Sequence, residues 1–153
     1  MALLQISEPG QSTSPHHHNL ACGIDLGTTN SLVASVMSGQ TRLISDQNNN
    51  SLLPSVVHYG QEKMSVGVDA YQYATTDPTN TILSVKRYMG IDYSEASEFK
   101  NLPYKLVKNG NNVSFETSIG EVSAIEVSAS ILSTLKDRAE DALGGELKGA
   151  VIT

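Results

Sequence analysis

The chain has 153 residues, one cysteine and a formal net charge of -6. This acidic balance, with no basic run and no interleaving of basic and aromatic residues, excludes a nucleic-acid footprint, and no stretch reaches the roughly 18 apolar residues of a membrane span. Because Cys22 has no possible partner within the chain and the N-terminus lacks the features of a secretory signal, we predict a cytoplasmic protein.

Residues 1–19 are predicted to form a mobile N-terminal extension. They contain prolines, a glycine, several serines and threonines and three consecutive histidines, a composition that cannot bury enough apolar surface to offset its ordering entropy. His16, His17 and His18 could form a metal patch with Cys22, but their spacing matches no standard zinc pattern. We therefore interpret this segment as a polar stretch before the first strand.

The pattern that follows predicts an antiparallel meander of three strands. Apolar residues alternate with polar ones over residues 21–25, 31–37 and 41–45, and turn-forming residues separate these runs. The turn between the first two strands is the most informative part of the chain. It lies within residues 23–31, which read Gly-Ile-Asp-Leu-Gly-Thr-Thr-Asn-Ser.

This first turn has the composition of a phosphate-binding hairpin. Gly27 allows the backbone to approach an oxyanion closely and to adopt a positive φ angle, and successive backbone N–H groups in such a turn form an anion-binding concavity. Thr28 and Thr29 add hydroxyl donors. The lysine of a P-loop and the three spaced glycines of a dinucleotide-binding fingerprint do not occur anywhere in the chain.

The carboxylate of Asp25 at the end of the first strand implies a metal ion. An aspartate beside a phosphate would repel it unless a divalent cation lay between them, and hard cations on phosphates favour carboxylate and water oxygens. The hairpin therefore predicts magnesium. The alternative is an ordinary glycine-threonine turn between two strands, capped by Asp25.

The middle of the chain contains only short sequence patterns for loops, turns and strands. A loop with three asparagines precedes a strand, and turn-rich residues 77–80 lead to a short helix or turn that bears Lys86 and Arg87 and ends at Gly90. Asn109-Gly110 is a strong hairpin signal. Strands are predicted over residues 55–59, 104–107, 113–117 and 119–122.

One long helix is predicted from Ser123. Ser123 and Glu126 have the spacing of a capping box, and Gly144-Gly145 supplies the stop. Apolar residues at every fourth position form one stripe at 127, 131, 135, 139 and 143. The layout predicts an α/β fold in which a mixed sheet carries the hairpin and a small sheet plus a helix is inserted into it.

Lys86 is the second candidate for chemistry. A lysine is usually a solvated surface residue, but Lys86 lies in the connection between the two predicted sub-regions. If it reaches the phosphate site, its ammonium could orient an attacking water or neutralise charge on a transferred phosphoryl group. For the neighbouring Arg87 we expect a structural ion pair.

In combination, the hairpin and four later motifs closely resemble the start of the DnaK-type heat-shock chaperones, which share the actin and hexokinase ATPase fold. The later motifs are residues 53–57 (Leu-Pro-Ser-Val-Val), 66–67 (Val-Gly), 80–81 (Asn-Thr) and 86–90 (Lys-Arg-Tyr-Met-Gly). The resemblance covers residues 20–153. Within the family, residues 1–10 and 52–59 look like the members dedicated to iron–sulfur cluster assembly.

The resemblance implies a role for each candidate residue. Asp25 matches the aspartate that contacts magnesium through water, and Lys86 matches the lysine required for ATP hydrolysis. Thr28 and Thr29 match contacts to the β- and γ-phosphates of ATP or ADP. Gly27 and Asn30 match positions that contribute backbone groups. The resemblance also implies two partners for the full-length protein, a J-domain cochaperone and an iron–sulfur scaffold protein.

The resemblance further implies that the chain is only part of an ATPase. In the family the nucleotide is clamped between two lobes, so we expect residues 20–153 to be the N-terminal part of a nucleotide-binding domain, incomplete at its C-terminus and inactive alone. Two alternatives remain open at this point. One is a sugar or acetate kinase with the same hairpin, which lacks a segment like residues 86–90, and the other is an inert, non-enzymatic truncated fragment.

Overall fold

A computed structural model describes residues 20–153. The predicted extension over residues 1–19, with its three histidines, lies outside the described residues. The described part contains three sheets and one long helix. No helix in it is long and apolar enough to span a membrane.

The first sheet carries the hairpin. Its strands are β1 (Ala21–Asp25), β2 (Asn30–Met37), β3 (Gln40–Leu43), β4 (Leu53–Pro54) and β11 (Gly149–Ile152). The order is β11-β1-β2-β3, and β4 pairs with the beginning of β2. β1 runs antiparallel to β2 and parallel to β11, so the sheet is mixed as predicted. The predicted meander of β1, β2 and β3 is confirmed.

Two three-stranded sheets follow instead of one. The second sheet has the order β6-β5-β7, and its strands are β5 (Val56–Tyr59), β6 (Met64–Val66) and β7 (Thr81–Leu83). The third has the order β10-β9-β8, and its strands are β8 (Lys105–Asn109), β9 (Asn112–Thr117) and β10 (Gly120–Ser123). The third sheet was predicted. The second was not recognised as a sheet, because strands of three residues are too short to show periodicity.

The helices differ greatly in length. The two short α-helices are α1 (Val68–Tyr71) and α2 (Tyr93–Ala96), and 3₁₀ turns cover Pro78–Asn80 and Val85–Tyr88. The long helix α3 covers Ala124–Leu143. Its predicted capping box is confirmed, since Glu126 N–H donates to Ser123 Oγ at 3.2 Å and Ser123 N–H donates to Glu126 Oε2 at 2.7 Å. Gly144 ends it with a left-handed φ of 72°.

The core forms where α3 covers one face of the first sheet. The predicted stripe of α3 is buried at its first four positions and half-buried at the last: Val127, Ile131, Leu135, Ala139 and Leu143. Cys22 and Ile24 of β1 are buried, whereas the alternate residues of that strand are exposed. Because side chains alternate between the faces of a strand, Asp25 lies on the sheet face opposite α3.

Candidate phosphate-binding site

Position 27 requires glycine, because the turn leaves no space for a Cβ atom there. A Cβ atom on Gly27 would overlap the carbonyl oxygen of Asn30 and lie 3.2 Å from its carbonyl carbon. The sequence-based expectation of a positive φ at Gly27 is wrong, because this residue is not among those with a left-handed backbone. The tight fold of the turn, which brings the Asn30 carbonyl back against Gly27, is the reason that only glycine fits.

The two threonines have donor groups that no other described residue uses. Thr28, Thr29 and Asn30 are exposed. Among residues 20–153, neither the N–H groups nor the hydroxyls of Thr28 and Thr29 have a hydrogen-bond partner. Backbone N–H groups and hydroxyls left open on one tight turn can together bind an oxyanion.

Asp25 stands at the end of β1, two residues before Gly27. Its carboxylate is exposed and forms no ion pair or hydrogen bond within the described part of the chain. No group of three or more His, Cys, Asp or Glu side chains in residues 20–153 could hold a metal ion by itself. Magnesium is typically bound through one or two carboxylates together with water and substrate phosphates. One exposed carboxylate beside a turn with exposed donors therefore fits magnesium.

Lys86 lies in the 3₁₀ turn Val85–Tyr88. Val85 and Tyr88 are buried, and Lys86 and Arg87 between them are exposed. The turn begins after Ser84, which has a left-handed backbone with φ 55° and ψ 37°. Within the described residues the Lys86 ammonium forms no ion pair, so it is free to meet an anion.

Aromatic packing holds this turn in place. The Tyr88 ring packs edge-on against Phe115 with centroids 5.1 Å apart, and the Tyr88 hydroxyl lies 3.1 Å from that of Tyr104. Tyr104 also donates to the carbonyl oxygen of Leu83 at 3.3 Å. Burial, and next the hydrogen bond to Tyr88, raise the pKa of Tyr104, so this hydroxyl stays protonated at neutral pH and can keep donating.

Arg87 does not form the ion pair that was expected. Its guanidinium carbon lies 5.1 Å from the centroid of the Phe99 ring, and no carboxylate of the described residues is paired with it. Phe99 is placed there by an edge-on contact with Tyr88. Arg87 therefore packs as a cation on an aromatic face.

Two consecutive strand pairings connect the hairpin to the Lys86 turn. Asn30 pairs with Pro54, at the start of β2 and the end of β4. Two residues later Val56 pairs with Leu83, the last residue of β7. The Lys86 turn begins directly after that pairing. Candidate residues that are about 60 positions apart in the chain are thus linked through two strand pairings and the short chain segments beside them.

Sequence reasoning missed two residues that contact the turn. Ser31 and Ser55 are each 1% exposed, and both hydroxyls lie against the backbone of Gly27. The only signal in the sequence was a serine at a position where the strand pattern calls for an apolar residue. That signal does not distinguish a buried contact from an ordinary serine near a turn.

The mixed sheet, the hairpin and the inserted sheets define the class: an α/β lobe of the actin and hexokinase type. A family model described as Hsp70 protein matches residues 21–153, and the chain belongs to this family. That is the family of the DnaK-type chaperones. The match favours the chaperone over the sugar or acetate kinase that the hairpin alone left open.

Several curated relatives are similar over the whole chain. A chaperone protein HscA homolog of Haemophilus influenzae (strain PittGG) is 55% identical over 100% of this chain and 25% of the relative. The HscA homologs of Aliivibrio salmonicida (strain LFI1238) and Actinobacillus pleuropneumoniae serotype 5b (strain L20) are 54% and 52% identical over the same shares. The chain spans about a quarter of the length of the curated relatives it matches.

Proposed function

We propose that this chain supplies the phosphate and magnesium side of the ATP site in an ATP-dependent chaperone of the DnaK type that assists the maturation of iron–sulfur proteins. The observation that carries the proposal is the turn after Asp25, where donors of Thr28 and Thr29 stand next to a carboxylate and none of these groups has a partner within residues 20–153. Membership in the Hsp70 family and the similarity to HscA homologs support the chemistry and the client class.

Each residue of the turn has a task that its surroundings allow. The N–H and hydroxyl groups of Thr28 and Thr29 donate to the β- and γ-phosphates of ATP. The backbone of Gly27 and Asn30 shapes the cradle around them, since the N–H and carbonyl groups of Gly27 are themselves bonded to serine hydroxyls. Asp25 would hold a magnesium ion through water. The ion would supply positive charge that neutralises the phosphates.

Lys86 acts on the reacting phosphate. Its ammonium, carried by a turn whose flanking residues Val85 and Tyr88 are buried, orients the attacking water and stabilises negative charge that develops during transfer. In the full-length protein, hydrolysis at this site would be stimulated by a J-domain cochaperone and coupled to binding of an iron–sulfur scaffold protein. Within this proposal, residues 20–153 are the N-terminal part of the ATPase domain and residues 1–19 precede it as an extension.

We predict that Asp25→Asn weakens the response to magnesium. In a protein of the relatives' full length that carries this segment, the magnesium concentration for half-maximal ATP hydrolysis should rise about 10- to 100-fold, as is usual when a group outside the first ligand shell is changed. Titration of steady-state hydrolysis with magnesium measures this. Asp137→Asn, on the exposed side of α3, is the control and should leave the titration unchanged. An unaltered magnesium response in Asp25→Asn removes this residue from the site.

A second prediction concerns the 153-residue chain by itself. The candidate residues address the phosphates and the metal, and none of them addresses the base or the ribose, so we expect no micromolar affinity for ATP and no turnover. Isothermal calorimetry of the purified chain with and without magnesium tests this, and circular dichroism of the same sample verifies that it is folded. Micromolar, magnesium-dependent binding by the folded chain would contradict the prediction.

A further inference from the structure

We propose that Ser31 and Ser55 are positioning residues that hold the phosphate turn through a closed ring of hydrogen bonds, here named the serine clamp. Neither residue is assigned a contact to the nucleotide or the metal. The inference rests on the proposed function, since it concerns how the turn is kept in shape for phosphate.

The serine clamp engages both backbone groups of Gly27. Gly27 N–H donates to Ser31 Oγ at 3.2 Å, the two serine oxygens are 2.9 Å apart, and Ser55 Oγ donates to the Gly27 carbonyl oxygen at 2.8 Å. The backbone N–H of Ser55 also donates to the Thr29 carbonyl oxygen at 2.8 Å. Ser55 therefore binds the turn at two carbonyl groups, those of Gly27 and Thr29.

The direction of the ring follows from counting protons. Ser55 has one hydroxyl proton, and a carbonyl oxygen can only accept, so that proton is used on Gly27. The contact between the serines must then be made with the proton of Ser31. Ser31 in turn has its oxygen free to accept from Gly27 N–H. All donors and acceptors are thereby arranged head to tail, an order in which hydrogen bonds polarise one another.

Burial makes the ring difficult to replace by water. Both serines are 1% exposed. Removal of the Ser31 hydroxyl leaves the Gly27 N–H without its partner, and removal of the Ser55 hydroxyl leaves the Gly27 carbonyl and the Ser31 hydroxyl without theirs. A buried donor or acceptor that loses its partner costs the full free energy of its desolvation, which exceeds the net contribution of a typical hydrogen bond. We expect the turn to shift until those groups reach new hydrogen-bond partners.

The serine clamp also connects the turn to the Lys86 segment. Ser55 is followed by Val56, which pairs with Leu83 three residues before Lys86. A shift of the turn relative to Ser55 is therefore a shift of the threonine donors relative to Lys86. Because small misplacements of reacting groups reduce the rate far more than they reduce binding, we expect the serine clamp to act mainly on kcat.

The test uses Ser31→Ala, Ser55→Ala and the double variant in a protein of the relatives' full length, with Ser35→Ala as the matched control. Ser35 is a buried serine on the same strand, and its hydroxyl donates to the Ala21 carbonyl oxygen at 2.7 Å without touching the turn. Each clamp variant should lower kcat for ATP hydrolysis on the order of 10- to 100-fold and change KM less than about 3-fold. Because either single change opens the ring, the double variant should be no more than about 3-fold slower than the singles.

Amide hydrogen exchange at Gly27 provides a readout that does not require activity. Exchange should accelerate about 10-fold in Ser31→Ala and in Ser55→Ala, and it should stay at the parent rate in Ser35→Ala. If exchange or kcat in Ser55→Ala matches that in Ser35→Ala, the serine clamp is overturned while the proposed function stands. If the parent protein shows no magnesium-dependent hydrolysis, the proposed function fails, and the Gly27 exchange rates decide on the serine clamp alone.

Discussion

Lys86→Ala is expected to lower kcat for ATP hydrolysis by about 10²- to 10³-fold, the usual loss when one charge-stabilising donor is removed from a reaction site. The reason lies in its surroundings: Lys86 is exposed, has no ion pair within the described residues and is carried by a turn whose flanking residues are buried. Alanine leaves those anchors intact. ATP affinity should therefore change little.

Single-turnover hydrolysis and equilibrium ATP binding, measured on the same full-length preparation, separate these two effects. Lys108→Ala is the control, because Lys108 is an exposed lysine on β8, in the third sheet, which does not contain the Gly27 turn. It should leave both quantities unchanged. Turnover by Lys86→Ala at the parent rate would remove Lys86 from the site, and a parallel loss of binding would assign it to nucleotide affinity instead of hydrolysis.

Gly27→Ala is expected to abolish both ATP binding and hydrolysis. The new methyl group would overlap the carbonyl oxygen of Asn30, a backbone atom that cannot swing aside like a side chain. Relief requires the turn to open, and the hydrogen bonds that join Gly27 to the hydroxyls of Ser31 and Ser55 oppose this. We expect a loss of about 3 kcal/mol of stability, the upper end for added atoms in a packed site.

Urea unfolding and ATP binding of Gly27→Ala measure these effects. Gly23→Ala is the matched control in the same hairpin, because a Cβ atom on Gly23 meets no atom within 4 Å. It should change stability by less than about 1 kcal/mol, as surface substitutions usually do. Equal behaviour of the two alanine variants would show that the turn is not constrained in the way the structure indicates.

Local sequence signals predicted a large part of the fold. The capping box of Ser123 and Glu126 and the stop at Gly144 specified α3, since these interactions involve residues within one turn of each other. Asn109-Gly110 specified the turn between β8 and β9 for the same reason. The second sheet was missed because β6 and β7 are three residues each, and what stabilises them is pairing with β5.

In the candidate site, too, some features were predicted from local sequence signals and others depend on contacts with distant residues. The residue types of the hairpin predicted a phosphate and magnesium site, and the assignment of Asp25, Thr28, Thr29 and Lys86 remains a prediction that the experiments above test. The conformation of Gly27 was predicted wrongly, because it depends on the Asn30 carbonyl folding back against it. Arg87 was assigned an ion pair and stacks on Phe99, a residue whose position depends on Tyr88.

The sequence by itself determined the family, the long helix and the first meander, because motifs, caps and turns act over a few neighbouring residues. Only the tertiary structure decided how the hairpin is held. Ser31 and Ser55 are 24 positions apart and meet because β4 pairs with β2. The link from Ser55 to Lys86 likewise depends on pairing between β5 and β7. Contacts between distant strands have no signature in a local pattern, since each partner is an ordinary residue until the chain brings the two together.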